Sequence, residues 1–319
     1  MKLLRFWGTR GSLPVALTSS GVRDKLVRAL REAAGRTFAS DEELNAYVNG
    51  LDLPVSGTYG GHTSCVEIET GGSEYVICDL GTGVRPFGQK VMARHGPTSP
   101  QTYHIFMSHV HWDHIMGFPF FTPAYIPGNR IFIYGGHAIL EEAFRRQQSP
   151  PSFPVDFSAL RANIEFVHLE AGQSYDIAGL RVDLMLQRHA GESYGYRFTS
   201  GGRTVIYTTD SEHTLDDLEE TGTYVEFFRN ADIVIFDAMY SLADAISIKA
   251  DWGHSSNIVG VELCQMAGAR QLCLFHHEPI HGDDAIARIL TETRRYEEIT
   301  STGTPLLVTA SYDGMEIEL

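Results

Sequence analysis

Short apolar runs recur along the chain, and many of them end at a polar residue that is followed by a turn. Runs of this kind predict β-strands. The predicted strands cover residues 3–7, 65–68, 75–78, 104–107, 131–134, 164–168, 181–186, 194–198, 204–207, 233–236 and 271–275. Apolar residues at helical spacing predict helices at 21–34, 41–49, 138–147, 215–229, 257–267 and 283–298. Because helices close each hairpin-like series of strands, we predict an α+β fold with two sheets packed face to face and helices outside.

Two stretches are predicted to be insertions in a single domain that spans residues 1–319. Residues 16–53 form a mostly helical stretch with basic side chains around it, which fits a solvated helical cover or a substrate lid. Residues 118–157 hold six prolines among aromatic residues, which fits the wall of a pocket, an ordinary packed connection or a subunit contact.

The charge balance bears on the kind of substrate. The chain has 25 lysines and arginines against 40 aspartates and glutamates, a formal charge of −15. This balance argues against the broad basic surface that duplex DNA or long RNA requires, and it favours a small substrate. Polyanion binding stays open, because bound metal ions and a few arginines can make an acidic protein locally positive.

Four cysteines lie in or next to apolar segments without C-x-x-C spacing, namely Cys65, Cys78, Cys264 and Cys273. We therefore expect buried thiols rather than a disulfide framework or a zinc knuckle. No stretch approaches the roughly 20 apolar residues that a membrane span needs. We expect a soluble cytoplasmic protein.

The segment H-V-H-W-D-H follows the predicted strand 104–107 and concentrates three imidazoles and a carboxylate in six residues. These side chains belong to His109, His111, Asp113 and His114. His109 and His111 are two residues apart, so both can face one metal ion, while Asp113 and His114 pass it towards a second. The alternative, a surface histidine cluster, requires this dense pattern to have no chemical role.

A site with two metals needs more ligands, and His189, Asp210 and His276 are in suitable positions. Each of them ends a predicted strand-like run, as metal ligands at a sheet edge do. The alternative interpretations are a core histidine at 189 and a turn aspartate at 210. His276 and His277 are adjacent, so the chain alone leaves open which of the two faces a metal.

The order H-x-H-x-D-H, a lone His, an Asp and a final His resembles the metallo-β-lactamase fold superfamily. The resemblance implies a four-layer αββα sandwich, here with helical insertions. It also implies that His109, His111 and His189 hold one metal, that Asp113, His114 and His276 hold the other, and that Asp210 bridges both. The ending F-H-H-E-P, compared with the superfamily's L-T-H-F-S-P type of ending, favours His276 over His277 as the last ligand.

Residues 8–14 (G-T-R-G-S-L-P), 60–65 (G-G-H-T-S-C) and 78–83 (C-D-L-G-T-G) resemble the phosphodiesterase branch of that superfamily. This branch includes transfer-RNA 3′-processing endonucleases, cyclic-nucleotide phosphodiesterases and the cyclic ribose-phosphate phosphodiesterase. By this resemblance Asp79 orients ligand loops from behind. His62 stands where relatives more often have Asn, which makes it either a substrate contact or a plain loop residue.

Residues 252–256 (W-G-H-S-S) resemble the G-H-S-T element of the same branch, in which the His works near the scissile phosphate. Ser255 or Ser256 can cap the following helix, and free backbone N–H groups there can face an anion. The alternative is pure helix capping with His254 on the surface. Asp237 stands where transfer-RNA processing enzymes carry the Glu of Glu-Ala-Thr, and it could orient His254, although it is one methylene shorter.

These residues predict a metal-dependent phosphodiesterase that cleaves a small phosphodiester, with cyclic nucleotides as the leading substrates. Two divalent ions activate a water for in-line attack. Asp113 ligates one ion and accepts a hydrogen bond from this water, and His254, steadied by Asp237, acts as general acid. Zinc suits the ligands best, with manganese or iron as alternatives. A homodimer is expected for an enzyme of this size.

Three other classes of function stay open at this stage. An RNA-processing nuclease of the transfer-RNA 3′-endonuclease type is disfavoured, because no basic arm for a large substrate is visible. A lactonase or β-lactamase shares the first motif, but the T-R-G-S opening and the G-H-S-S segment disfavour it. A binding or sensory module without turnover would be expected to lose ligands, whereas every ligand position is filled.

Overall fold

The computed structural model describes residues 1–213, 217–239 and 254–319, and within these ranges the chain forms two seven-stranded sheets. The strands are β1 (Leu3–Gly8), β2 (Cys65–Glu69), β3 (Tyr75–Cys78), β4 (Thr102–Phe106), β5 (Arg130–Gly135), β6 (Asn163–His168), β7 (Ser174–Ile177), β8 (Leu180–Gln187), β9 (Ser193–Ser200), β10 (Arg203–Thr208), β11 (Ile233–Asp237), β12 (Gln271–Phe275), β13 (Leu307–Ala310) and β14 (Glu316–Glu318).

Both sheets are mixed. The first has the order β14-β1-β2-β3-β4-β5-β6 and is parallel from β3 to β6. The second has the order β13-β12-β11-β10-β9-β8-β7 and is parallel from β13 to β10. All residues of β11 and β12 are buried, as expected for parallel strands that are covered on both faces.

The inner faces of the two sheets share one hydrophobic core. Phe6 of β1 meets Phe275 of β12 with ring centroids 6.1 Å apart, and Phe106 of β4 meets Phe198 of β9 at 5.1 Å. Along β8, buried Leu180, Val182 and Leu184 alternate with more exposed polar residues. This period of two turns one face of the strand into the core.

The helices cover the outer faces of the sheets. They are α1 (Ser19–Glu32), α2 (Asp41–Asn49), α3 (Leu53–Ser56), α4 (Val84–His95), α5 (Trp112–Ile115), α6 (Leu140–Gln147), α7 (Leu218–Phe228), α8 (Asn257–Ala267) and α9 (Asp283–Thr300). Apolar residues of α4 and α6 pack on the first sheet, and those of α7, α8 and α9 pack on the second. The predicted αββα sandwich is therefore confirmed.

All eleven predicted strands occur in the structure, but β7, β13 and β14 were not predicted. These three are short strands at sheet edges, where half-exposed residues give little apolar pattern. Helix α4 was also missed, because Pro86 and Gly88 interrupt its helical pattern.

Residues 118–157 are not simply an insertion, because they contain β5, which pairs with β4 and β6 inside the first sheet. The same stretch contains α6, so only the residues before β5 and after α6 lie outside the main strands and helices of the sandwich. In the other predicted insertion, α1 and α2 bury no residue completely. Lys25 ties α1 to the framework, because its Nζ donates to Asp283 Oδ2 at 2.6 Å and to the carbonyl of Pro54.

All four cysteines are buried and free, as predicted. Among the described residues, no helix has the length and apolarity needed to cross a membrane.

Candidate active site

The predicted metal ligands converge at one edge of the sandwich because the strands that precede them end there. His109 follows β4, His189 follows β8, Asp210 follows β10 and His276 follows β12. Parallel strands place their carboxyl ends at the same edge of a sheet, and the two facing sheets therefore bring their loops together. Besides these strands, the short helix α5 contributes to the site, because its single turn carries Asp113 and His114.

Three residues that follow strands ending at this edge have an unusual backbone. Asp79, Asp210 and His276 have φ values of +59°, +48° and +60°. Residues with a Cβ rarely adopt this left-handed conformation, and when they do, the strain commonly marks a functional site. Asp79 and His276 directly follow β3 and β12, and Asp210 follows β10 with one residue between them. In each case the left-handed residue turns a polar side chain towards the site.

The first cluster consists of His109, His111, His189 and Asp210. His189 Nε2 lies 3.1 Å from His111 Nδ1 and 3.8 Å from Asp210 Oδ2, and His109 Nε2 lies 3.6 Å from the same oxygen. His109 and Asp210 are buried, whereas His111 is exposed. The cluster is therefore open to solvent on the side of His111.

The second cluster consists of Asp113, His114, Asp210 and His276, all of them buried. His114 Nε2 and His276 Nε2 each lie 3.2 Å from Asp113 Oδ2 and 3.2 Å from Asp210 Oδ1. Asp210 thus presents Oδ2 to the first cluster and Oδ1 to the second. The structure brings all seven predicted ligands together in the predicted two groups.

The donor atoms fit divalent metals. Two ligand atoms on one tetrahedral zinc are about 3.4 Å apart, given Zn–N bonds of roughly 2.1 Å, and the contacts above span 3.1 to 3.8 Å. His109 Nε2 is buried without a hydrogen-bond partner among the described residues. Burial would raise the pKa of Asp210, but His276, His114 and His109 hold it well below its usual range, so this carboxylate stays ionised.

Asp79 orients the H-V-H-W-D-H segment through hydrogen bonds on the side away from the clusters, as the resemblance implied. Its Oδ2 accepts hydrogen bonds from His114 Nδ1 at 2.8 Å, Ser108 Oγ at 2.7 Å and Tyr207 Oη at 2.6 Å. The backbone N–H of Ser108 donates to Oδ1 at 2.8 Å. A carboxylate that holds the far nitrogen of a ligating His fixes the ring orientation and its tautomer.

His254 and Asp237 form a pair beside the clusters. His254 Nδ1 lies 2.8 Å from Asp237 Oδ2, and the other oxygen of Asp237 lies 3.8 Å from His276 Nδ1. The rings of His189 and His276 lie 5.4 and 5.2 Å from that of His254. Burial lowers the pKa of His254, but Asp237, Asp210 and Asp113 outweigh it and raise the pKa to about 9.

The three predicted substrate-binding residues make contacts within the protein. Ser256 Oγ caps α8 by accepting from Val259 N at 3.4 Å. Ser255 Oγ donates to the carbonyl of Ser211, and His62 Nδ1 lies 3.2 Å from Thr82 Oγ1. Their contact with substrate stays a prediction. Residues 252 and 253 of the same motif lie outside the described residues.

The geometry separates His276 from His277. His276 faces Asp113 and Asp210, whereas His277 Nε2 lies 2.9 Å from the carbonyl oxygen of Ser311 on the other side of the loop. Burial lowers the pKa of His277 to about 3, so this ring is neutral and donates to that carbonyl. His277 therefore has a structural contact, and His276 takes the position in the cluster.

Two supporting residues were not anticipated. The backbone N–H of Ser12 donates to Asp113 Oδ2 at 2.7 Å and so orients this carboxylate. Half-buried Asp313 accepts from the N–H groups of Gly61 and His62, both at 2.9 Å, and holds the 60–65 loop in place. Asp313 lies in an ordinary turn sequence near the end of the chain, so no local signal reveals its role.

Gly11→Ala is expected to displace His276. A Cβ at position 11 would lie 2.4 Å from His276 Cε1, closer than any real contact, so the ring must move away from Asp113 and Asp210. We expect loss of metal from the second cluster and a drop in activity of about 10- to 100-fold, as for other disturbed ligand shells. Metal content and hydrolysis rates measure both effects. Gly222→Ala is the matched control, because a Cβ there meets nothing within 4 Å, and equal metal content in the two variants would contradict this account.

Comparison with known proteins identifies the family of this chain. The sequence model of a family described as "Beta-lactamase superfamily domain" matches residues 75–277, nearly two thirds of the chain, including all seven clustered ligands. This chain belongs to that family.

Proteins that are similar to this chain in sequence include named enzymes. A ribonuclease Z of Exiguobacterium sibiricum is 33% identical over 109 residues, which span 32% of this chain and 34% of that protein. A ribonuclease Z of Bradyrhizobium diazoefficiens is 25% identical over 279 residues, which span 71% of this chain and 89% of that protein.

Solved structures share the fold. The metallo-β-lactamase fold protein YhfI of Bacillus subtilis has a TM-score of 0.65 at 17% identity and covers 100% of this chain and 99% of its own. A diphosphatase of the PhnP family has a TM-score of 0.60 at 19% identity, covering 100% and 98%. Yeast PDE1 has a TM-score of 0.60 at 15% identity, covering 81% and 95%. The chain is thus a metal-dependent hydrolase with the metallo-β-lactamase fold, and its sequence relatives include ribonuclease Z enzymes.

Proposed function

We propose that this hydrolase is a binuclear phosphodiesterase that cleaves a small phosphodiester, with cyclic nucleotides as the leading candidates. The observation that carries this proposal is the division of Asp210 between the clusters, Oδ1 facing one and Oδ2 the other. A carboxylate shared in this way would serve as a ligand to both ions of a metal pair, and such pairs catalyse attack on phosphorus.

His109, His111 and His189 would hold one divalent ion, and Asp113, His114 and His276 the other, with Asp210 shared. We favour zinc, because imidazole predominates among the ligands, and manganese or iron suit the same mixed set. When bound, such a pair supplies a hydroxide nucleophile near neutral pH and polarises a phosphoryl oxygen.

The protein side chains complete the chemistry. Asp113, held by Ser12 N and facing His114 and His276, would ligate one ion and accept a hydrogen bond from the attacking water. His254 donates a proton from Nε2 to the leaving alkoxide, which is a poor leaving group on its own. Asp237 accepts from Nδ1 at 2.8 Å and thereby positions the ring. No Ser or Cys nucleophile is needed in this scheme.

A second candidate function is cleavage of RNA, which the named ribonuclease Z relatives favour. The formal charge of −15 argues against a long RNA, because each phosphate contact needs a cation on the protein. We therefore place the small phosphodiester first. We also propose that the enzyme is cytoplasmic and acts as a homodimer.

A substrate panel on the protein loaded with zinc or with manganese tests this proposal. We expect turnover of bis(p-nitrophenyl) phosphate and of cyclic AMP or cyclic GMP, and none of a lactone or a cephalosporin. Efficient cleavage of transfer-RNA precursors with steep salt dependence would favour the RNA alternative. Hydrolysis of a lactone or cephalosporin without phosphodiesterase activity would contradict the proposal.

A further inference from the structure

A cavity of about 460 Å³ is lined by residues of α5 and α6 and by Val110 of the H-V-H-W-D-H segment. Its volume falls within the range of small-molecule sites, which are mostly apolar with a few polar groups. Its lining fits this description, because aromatic and aliphatic side chains predominate and Arg146 and Gln147 supply the larger polar groups. The lining residues used below are Val110, Trp112, Phe120, Arg146, Gln147 and Phe153.

The cavity is continuous in sequence with the proposed metal ligands. Val110 lies between His109 and His111, and Trp112 lies between His111 and Asp113. The first cluster is open on the side of His111, and the next residue, Trp112, has 73% of its surface exposed. Exposed His111 and exposed Trp112 are thus consecutive residues, one in the first cluster and the other in the cavity wall.

The cavity wall offers flat aromatic surfaces. Phe120, which is 56% exposed, meets Phe153 edge to face with centroids 5.6 Å apart. Trp112 and Phe120 are large apolar side chains exposed to solvent, whereas Phe153 is half-buried. These aromatic faces in the cavity wall suit a planar ring that stacks on them rather than a single alkyl group.

The polar groups of the cavity suit a nucleobase. Arg146 is an exposed guanidinium, and such a group stacks on aromatic rings and donates several hydrogen bonds. Gln147 Nε2 donates to the carbonyl of Ile115 at 2.9 Å, which orients the side-chain amide at the cavity wall. An amide fixed in this way can recognise the edge of a base.

We propose that this cavity binds the nucleobase of a nucleoside phosphodiester while the phosphate lies at the metal clusters. The inference rests on the proposed phosphodiesterase function and names its substrate class. Trp112 is then the residue that determines specificity, because it adjoins both the base and the ligands. Removing an aromatic ring that stacks on a base typically weakens the interaction by about 5- to 150-fold.

Two esters with the same leaving group test this directly, thymidine 5′-(p-nitrophenyl phosphate) and methyl p-nitrophenyl phosphate. The wild type should prefer the thymidine ester by about 10-fold or more in kcat/KM. Trp112→Ala should reduce this preference at least about 5-fold, whereas Trp112→Phe, which keeps an aromatic face, should retain most of it. Ile299→Ala, at an exposed apolar residue of α9, is the control and should keep the wild-type preference.

An unchanged preference in Trp112→Ala would overturn the inference, and so would an equal loss on both esters, which would place the nitrophenyl ring in the cavity. If the metal-loaded wild type hydrolyses neither ester, the proposed function fails, and binding decides the inference separately. Equilibrium dialysis with thymidine 5′-monophosphate should then show at least about 5-fold weaker binding to Trp112→Ala than to wild type. Equal binding to both proteins would overturn the base site.

Discussion

Asp210→Ala is expected to lose bound metal at both clusters and at least about 10³-fold in kcat/KM, which corresponds to about 4 kcal/mol of activation free energy. The reason is that one carboxylate serves both groups of ligands, with His109 and His189 near Oδ2 and His114 and His276 near Oδ1. Without it, the four histidines face each other with no shared anion. Metal analysis and rates on bis(p-nitrophenyl) phosphate measure the effect.

Asp176→Ala is the matched control for Asp210→Ala, because Asp176 is an exposed carboxylate on edge strand β7. It should keep wild-type metal content and rate. An Asp210→Ala protein that is folded, retains two metals and turns over normally would contradict the assignment of a shared ligand.

His254→Ala is expected to keep its metal and lose about 10²- to 10⁴-fold in kcat on a phosphodiester with an alkoxide leaving group. A p-nitrophenolate leaves without protonation, so the loss on a p-nitrophenyl ester should be much smaller. This difference between leaving groups distinguishes a proton donor from a residue that only supports the fold. Asp237→Asn should show the same pattern more weakly, since Asp237 acts through the His254 ring.

His168→Ala, at an exposed histidine of β6, is the control for the loss of an imidazole. It should match the wild type on both kinds of ester. Equal losses of His254→Ala on good and poor leaving groups, or loss of its metal, would remove His254 from proton transfer.

The sequence predicted the parts of the site that local patterns encode. The H-V-H-W-D-H segment follows a strand, and His189, Asp210 and His276 each end another, so both their type and their order were readable. The strand ends and the single turn of α5 together bring all seven into two groups. The framework was equally readable where apolar residues alternate or recur regularly, and less so at short edge strands such as β14.

The remaining features depend on contacts between distant parts of the chain. Asp113 is oriented by Ser12, about 100 residues earlier, and the 60–65 loop is held by Asp313, about 250 residues later. The choice of His276 over His277 depends on the left-handed turn after β12, which either residue could occupy. The cavity at Trp112 is lined by residues of α5 and by residues of α6 and of the segment 152–153, which lie far from α5 in the sequence.

The central claim is that seven side chains hold two divalent ions around one shared carboxylate. Anomalous scattering from crystals of metal-replete protein, with elemental analysis of the same preparation, tests it most directly. We expect two peaks, one among His109, His111 and His189 and one among Asp113, His114 and His276, with Asp210 between them. A single peak, or none, with two equivalents of metal supplied would contradict it.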